Sequence, residues 1–211
     1  MTEFNSKLLD RLRAKVKWAY GKDLEPFVAE ALSVYLVHRP NDGYMWFVYG
    51  DVLRVLGRYS EAIDALNEAI ELAPAKHHYL VCARMAYAHN GAGRREEAER
   101  WFAKSVENRN GVMPGWIWLL RGGNLAQLGR FEDAIACYRN ALAVKSDESI
   151  DECEVCLNIG LAHRAQRRYD AAAESFHRAI ALEGKKSRRA RSALASLREL
   201  DDLPNWIGAQ S

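Results

Sequence analysis

The chain of 211 residues is 49% hydrophobic and 27% charged with only 5 Pro, which excludes a disordered, collagenous or Pro-rich polypeptide. Its 30 Lys and Arg against 28 Asp and Glu leave a formal charge of +2, so a polycation built for nucleic acid is not indicated. No apolar run approaches the ~18 residues of a membrane span, the first residues hold no apolar leader, and 4 Cys are too few for a disulfide scaffold. The expectation is a cytoplasmic chain with reduced thiols and no membrane partner.

Apolar periodicity predicts helices near residues 5–20 and 25–38, closed by Pro40. From residue 43 onward the chain repeats itself. VLGRYSEAIDALNEAIELAP from Val55 aligns with NGAGRREEAERWFAKSVENR from Asn90, QLGRFEDAIACYRNALAVKS from Gln127 and AQRRYDAAAESFHRAIALEG from Ala165. Ala62, Ala98, Ala134 and Ala172 recur every 36 to 38 residues. Twelve residues upstream of each stands Gly50, Ala86, Gly122 or Gly160, and four before those stands Trp46, Cys82, Trp118 or Cys156. Seven residues after the alanines come Ala69, Ser105, Ala141 and Ala179, with Leu66, Phe102, Tyr138 and Phe176 between. Offsets of three, four and seven place residues on one stripe of an α-helix, so each unit is two apolar-striped helices. Gly57, Gly93 and Gly129 fall at the turn, where a positive φ is cheap only for glycine. Small residues on facing stripes let the two helices approach closely, and neighbouring units must stack to bury the rest.

The pattern Trp46, Tyr49, Gly50, Gly57, Tyr59, Ala62, Leu66, Ala69 and Pro74 resembles the tetratricopeptide repeat. The resemblance implies an all-α, right-handed solenoid of helical hairpins spanning residues 1–200. It comprises a degenerate unit at 5–40, units at 43–76, 79–112, 115–148 and 153–186, and a capping helix at 187–200. A tail at 201–211 contains Pro204, Trp206 and Ile207. The cap reads from Ala190, Ala193, Leu194, Leu197 and Leu200 on one face and Arg188, Arg189, Ser192, Ser196 and Glu199 on the other.

Functionally, the resemblance implies a non-catalytic adaptor, scaffold or chaperone-like module that receives a partner protein's extended peptide or helix in a concave groove. Carried onto this chain, the groove positions are Tyr44, Phe47, Asp51 and Arg54; Leu80, Ala83, Tyr87 and Asn90; Trp116, Leu119, Gly123 and Gln127; and Glu154, Leu157, Leu161 and Arg164. The aromatic and aliphatic members would bury partner side chains, and Asp51, Arg54, Asn90, Gln127 and Arg164 would set register by hydrogen bonds. The family's carboxylate clamp is incomplete. Arg13, Lys17 and Arg84 occupy clamp places, but Val48 and Leu80 stand where polar ligands are needed.

No phosphate loop, nucleophile elbow or zinc-protease motif is present, so neither an enzyme, a cofactor nor a metal is expected. Cys153 and Cys156 form the single CxxC, without a second ligand pair, and Cys156 stands where other units carry Trp. His89 and His163 are expected to pack inward with a hydrogen bond, and His77 and His78 to be solvated. Two rival readings remain. One is a self-associating scaffold, a homo-oligomer in which the array ends or the groove are subunit interfaces; the groove could equally be filled by the chain's own Trp206–Ile207 tail. The other is a regulator contacting nucleic acid through the basic run Lys185, Lys186, Arg188, Arg189 and Arg191.

Overall fold

The computed structural model describes residues 3–22, 24–109, 113–144, 150–183 and 188–201. All regular structure among them is helical. Two compact units, Met1–Gly111 and Val112–Ser211, each carry their own core.

The first unit holds α1 (Glu3–Ala19), α2 (Glu25–His38), α3 (Gly43–Val55), α4 (Tyr59–Leu72), α5 (His78–Gly91) and α6 (Arg95–Glu107), with a 3-10 turn at Ala75–His77. Consecutive helices pack as hairpins, and α2 lies on α3 as α4 lies on α5. Leu9, Val16, Val28, Leu32, Met45, Val48 and Val52 build one core, and Leu53, Ala62, Leu66, Met85 and Ala88 another. Asp42 caps α3, accepting the Met45 N–H at 3.2 Å, and also takes Arg13 at 2.7 Å and the Tyr35 hydroxyl at 2.9 Å. Burial works against its charge, but these three donors hold the carboxyl below its ordinary range.

The second unit holds α7 (Gly115–Gln127), α8 (Phe131–Ala143), α9 (Glu152–Ala165), α10 (Tyr169–Glu183) and α11 (Arg188–Asp201). Its core joins Leu125, Ala134, Ile135, Tyr138 and Val155 on one side and Cys153, Cys156, Ala172, Phe176 and Ala193 on the other. The last helix packs on α10 and α9.

Close approach within a hairpin depends on the small residues. A Cβ added to Gly50 would lie 2.6 Å from Leu66 Cγ, one on Gly122 2.5 Å from Tyr138 Cε1, and one on Gly160 2.4 Å from Phe176 Cε1. Ala62, Ala69, Ala86, Ala98, Ala134, Ala141, Ala172 and Ala179 are all buried, whereas Trp46 and Trp118 are half-buried against the cores. The four hairpin turns after α3, α5, α7 and α9 share one hydrogen-bond pattern. In each, the N–H of the left-handed residue donates to the carbonyl three back, and the next N–H to the carbonyl five back. Examples are Gly57 to Arg54 at 3.0 Å and Arg58 to Leu53 at 2.9 Å. The left-handed residue is Gly57, Gly93 or Gly129 in three turns, but Arg167, at φ 59°, in the fourth.

Candidate functional site

In the first unit the N-terminal end of α3 meets the link between α4 and α5. Pro74 ends the α4 line, and the short Ala75–His77 turn swings the chain into α5. Gly43 lies under that link, where a Cβ would come within 2.7 Å of Leu72 Cβ. The result is an open cleft of about 330 Å³ lined by Tyr44, Phe47, Leu72–Pro74, His77, Leu80 and Val81. Its walls are almost wholly apolar, with the exposed His77 as a polar group at the rim. Tyr44, at 48% exposure, projects into solvent at the cleft edge with the Lys17 ammonium 5.3 Å from its ring centre. Phe47 is half-buried and also packs on both cores of the unit.

One helical turn further along α3 the chemistry changes. Asp51 is 5% exposed. It accepts the Tyr20 hydroxyl from the turn after α1 and Arg54 Nε at 2.8 Å, and forms an ion pair with Arg84 of α5, whose Nε lies 3.1 Å away. The Arg54 guanidinium lies 4.3 Å from the ring centre of Tyr87. Burial foremost, and then the Asp51 charge, push the Tyr20 phenol well above its ordinary pKa, so it stays a proton donor. This corrects the expectation for Asp51. It is not an open register-setting group, because a side chain from the degenerate first hairpin and one from α5 close over it. Arg54 and Tyr87 are half-buried parts of the same cluster, and Asn90 is half-buried at the end of α5. The three cations at clamp places are also engaged within the chain: Arg13 with Asp42, Lys17 with Tyr44, and Arg84 with Asp51.

In the second unit Trp116 and Leu119 of α7 are half-buried, and Gln127 is exposed. Leu157 and Leu161 of α9 pack against the cluster containing Ala193 of α11, and Arg164 pairs with Glu199 of α11. Of these three positions Arg164 is tied to the last helix, so its guanidinium already has a partner within the chain. The cleft lining from the α4–α5 link, Leu72, Ala73, Pro74 and His77, lies outside the carried-over set. Its one sequence signal is the unit-ending Pro74.

All four cysteines are buried free thiols, and Cys153 donates to the Ala179 carbonyl at 3.3 Å. Burial pushes the Cys82 and Cys156 thiols up, which keeps them protonated. His89 and His163 are buried, as expected, but the Nδ1 of each has no hydrogen-bond partner among the described residues. His89 instead stacks on Trp101, with ring centres 6.5 Å apart. His78 is half-buried and bonded to the Ala73 carbonyl at 2.9 Å, not solvated, while His77 is exposed. Among the described residues no group of three His, Cys, Asp or Glu is arranged to hold a metal ion, and no helix is long and apolar enough to cross a membrane. Lys185, Lys186 and the tail with Trp206 and Ile207 lie outside the described residues, as do the side chains of Arg188 and Arg189; Arg191 is exposed.

Family models described as tetratricopeptide repeat match residues 44–76, 117–148 and 155–190. Comparison with curated proteins gives no match. Solved structures do match. MamA residues 41 to the end from Desulfovibrio magneticus RS-1 superposes with a TM-score of 0.72 at 17% identity, over 85% of this chain and 97% of that one. Cut9, from an APC/C hetero-tetramer with Hcn1, gives 0.73 at 18% identity over 94% of this chain and 38% of that one. Pseudomonas aeruginosa PilF gives 0.71 at 16% identity over 89% and 82%. At these identities the likeness is one of fold.

Proposed function

The chain is a tetratricopeptide-repeat protein, and from that premise we propose that it is a non-catalytic protein-interaction module whose first unit seats an apolar side chain of a partner peptide or helix. The observation that carries this is the apolar cleft between Tyr44, Phe47, Leu80 and the Leu72–Pro74 link. An open cavity of about 330 Å³ with almost no polar lining fits one large aliphatic or aromatic side chain. Tyr44 offers contact area at low entropic cost, because few rotatable bonds must be frozen. Asp51, Arg54 and Arg84 do a different job. By tying α1, α3 and α5 together they keep the floor beside the cleft rigid, which lowers the ordering cost on binding.

Peptides selected from a displayed random library against the full chain provide the test. The selected set should be enriched in one bulky apolar residue. Tyr44→Ala and Leu80→Asp should each weaken a selected peptide by about tenfold or more in calorimetry, the scale of one well-buried contact. Glu68→Gln, on the exposed face of α4, should leave it unchanged. Peptides that bind all three variants equally would overturn the reading.

A further inference from the structure

The first hairpin carries a second surface that the cleft does not use. Leu8, Trp18, Leu24, Phe27, Val34 and Val37 are six of the ten large apolar side chains left exposed among the described residues, with Trp18 at 64% and Phe27 at 62%. On α1, Lys7, Leu8, Arg11, Lys15 and Trp18 fall on one stripe of the helix, and Lys22 follows in the turn. The opposite side of α1 is fixed to the core by Leu9, Val16 and Ala19. From Lys7 to Trp18 no carboxylate falls on the stripe: Asp10 lies off it, 4.0 Å from Arg39. Lys7, Arg11 and Lys15 make no ion pair among the described residues, and the Lys22 ammonium sits 3.9 Å above the Trp18 ring. Trp18, Leu24 and Phe27 flank the same turn, so three apolar side chains and Lys22 share one end of the hairpin.

We propose that this face docks the protein on an anionic lipid bilayer, lying on the surface without crossing it. Cations spaced between exposed Leu, Trp and Phe match such a surface layer by layer. The ammonium and guanidinium groups meet lipid phosphates, and the indole and phenyl rings enter the boundary between headgroups and acyl chains. A second copy fits poorly, because a two-fold contact would set Lys7, Arg11 and Lys15 against the same cations. An acidic protein fits less well than lipid, since no residue of the α1 stripe lines either described cleft, where an anchor side chain would seat. The expectation of no membrane partner rested on the want of a spanning segment, which surface docking does not require.

The full chain is sedimented with vesicles of phosphatidylcholine containing about one-third phosphatidylserine, and with phosphatidylcholine alone. Binding should require the anionic lipid and weaken steeply with added salt. Replacing Lys7, Arg11 and Lys15 together by Gln should weaken it about a hundredfold, from about fivefold per cation. Replacing Arg100, Arg139 and Arg178, exposed cations elsewhere, should change it by less than about threefold if the patch and not net charge is recognised. Trp18→Ser should weaken binding while leaving the helical circular dichroism unchanged, because the side chain is exposed. The proposal is overturned if the folded wild type ignores anionic vesicles, or if the two triple variants behave alike. Loss of self-association or of an acidic protein's binding in the Lys7–Arg11–Lys15 variant, with vesicle binding intact, overturns it too. The peptide measurements on Tyr44 and Leu80 are unaffected by any of these results.

Discussion

Gly122 and Gly123 are adjacent in α7, and alanine at the two should have opposite consequences. Each substitution gains the same helix propensity, about 0.8–1 kcal/mol for Gly to Ala in a helix interior. At Gly123 a Cβ meets nothing within 4 Å, so the gain stands. At Gly122 the Cβ would lie 2.5 Å from Tyr138 Cε1, 2.7 Å from Cδ1 and 3.1 Å from Cζ. Tyr138 is 3% exposed, so its ring cannot swing into solvent and the α7–α8 hairpin must open instead. Overpacking of this kind costs about 1–3 kcal/mol. Gly123→Ala should therefore stabilise by about 0.5–1 kcal/mol, and Gly122→Ala should stand about 1–3 kcal/mol below it in urea unfolding. Equal stabilities for the two variants would refute the argument that glycine here sets the helix spacing.

Three further outcomes follow from the same geometry. Arg167 holds a left-handed backbone that costs a non-glycine residue about 1–2 kcal/mol, so Arg167→Gly should stabilise by about 0.5–1 kcal/mol after the entropy of glycine is subtracted, read as a higher urea midpoint. Ala134→Leu should cost about 1–3 kcal/mol, because Ala134 is wholly buried, while Glu68→Leu on an exposed face should change stability by less than about 0.5 kcal/mol. Burial first, and nearby Arg second, depress the pKa of His89 and His163, so the unfolded chain takes up protons at a higher pH than the fold does. Stability should be level above about pH 6.5 and fall as the pH drops through that value; replacing both by Gln should flatten the fall in urea midpoints measured from pH 7.5 to 5.

The helical hairpins were legible in the sequence because their determinants are local. Gly57, Gly93 and Gly129 mark turns by residue type, and Ala62 or Gly50 mark crossings by spacing. The fourth turn was not legible this way, since Arg167 takes the same conformation without the residue that announces it. The first hairpin, expected near residues 5–20 and 25–38 from apolar periodicity alone, has its helices at Glu3–Ala19 and Glu25–His38 and lacks the small-residue signature. The site was less legible. On α3 alone Asp51 falls on the face turned away from the core, and only the long-range arrival of Tyr20 and Arg84 buries it. Arg164 likewise looks open until α11 brings Glu199 to it. The cleft depends on where a link between helices runs, and the Leu72–Pro74 and His77 contacts have no periodicity to betray them.

Methyl-resolved NMR of the full chain, titrated with a library-selected peptide, tests the central claim most directly. The account predicts shifts concentrated on Leu72, Leu80 and Val81, the aliphatic lining of the cleft, and their loss in Tyr44→Ala. Shifts confined to methyls remote from the cleft, or unchanged by Tyr44→Ala, would contradict it.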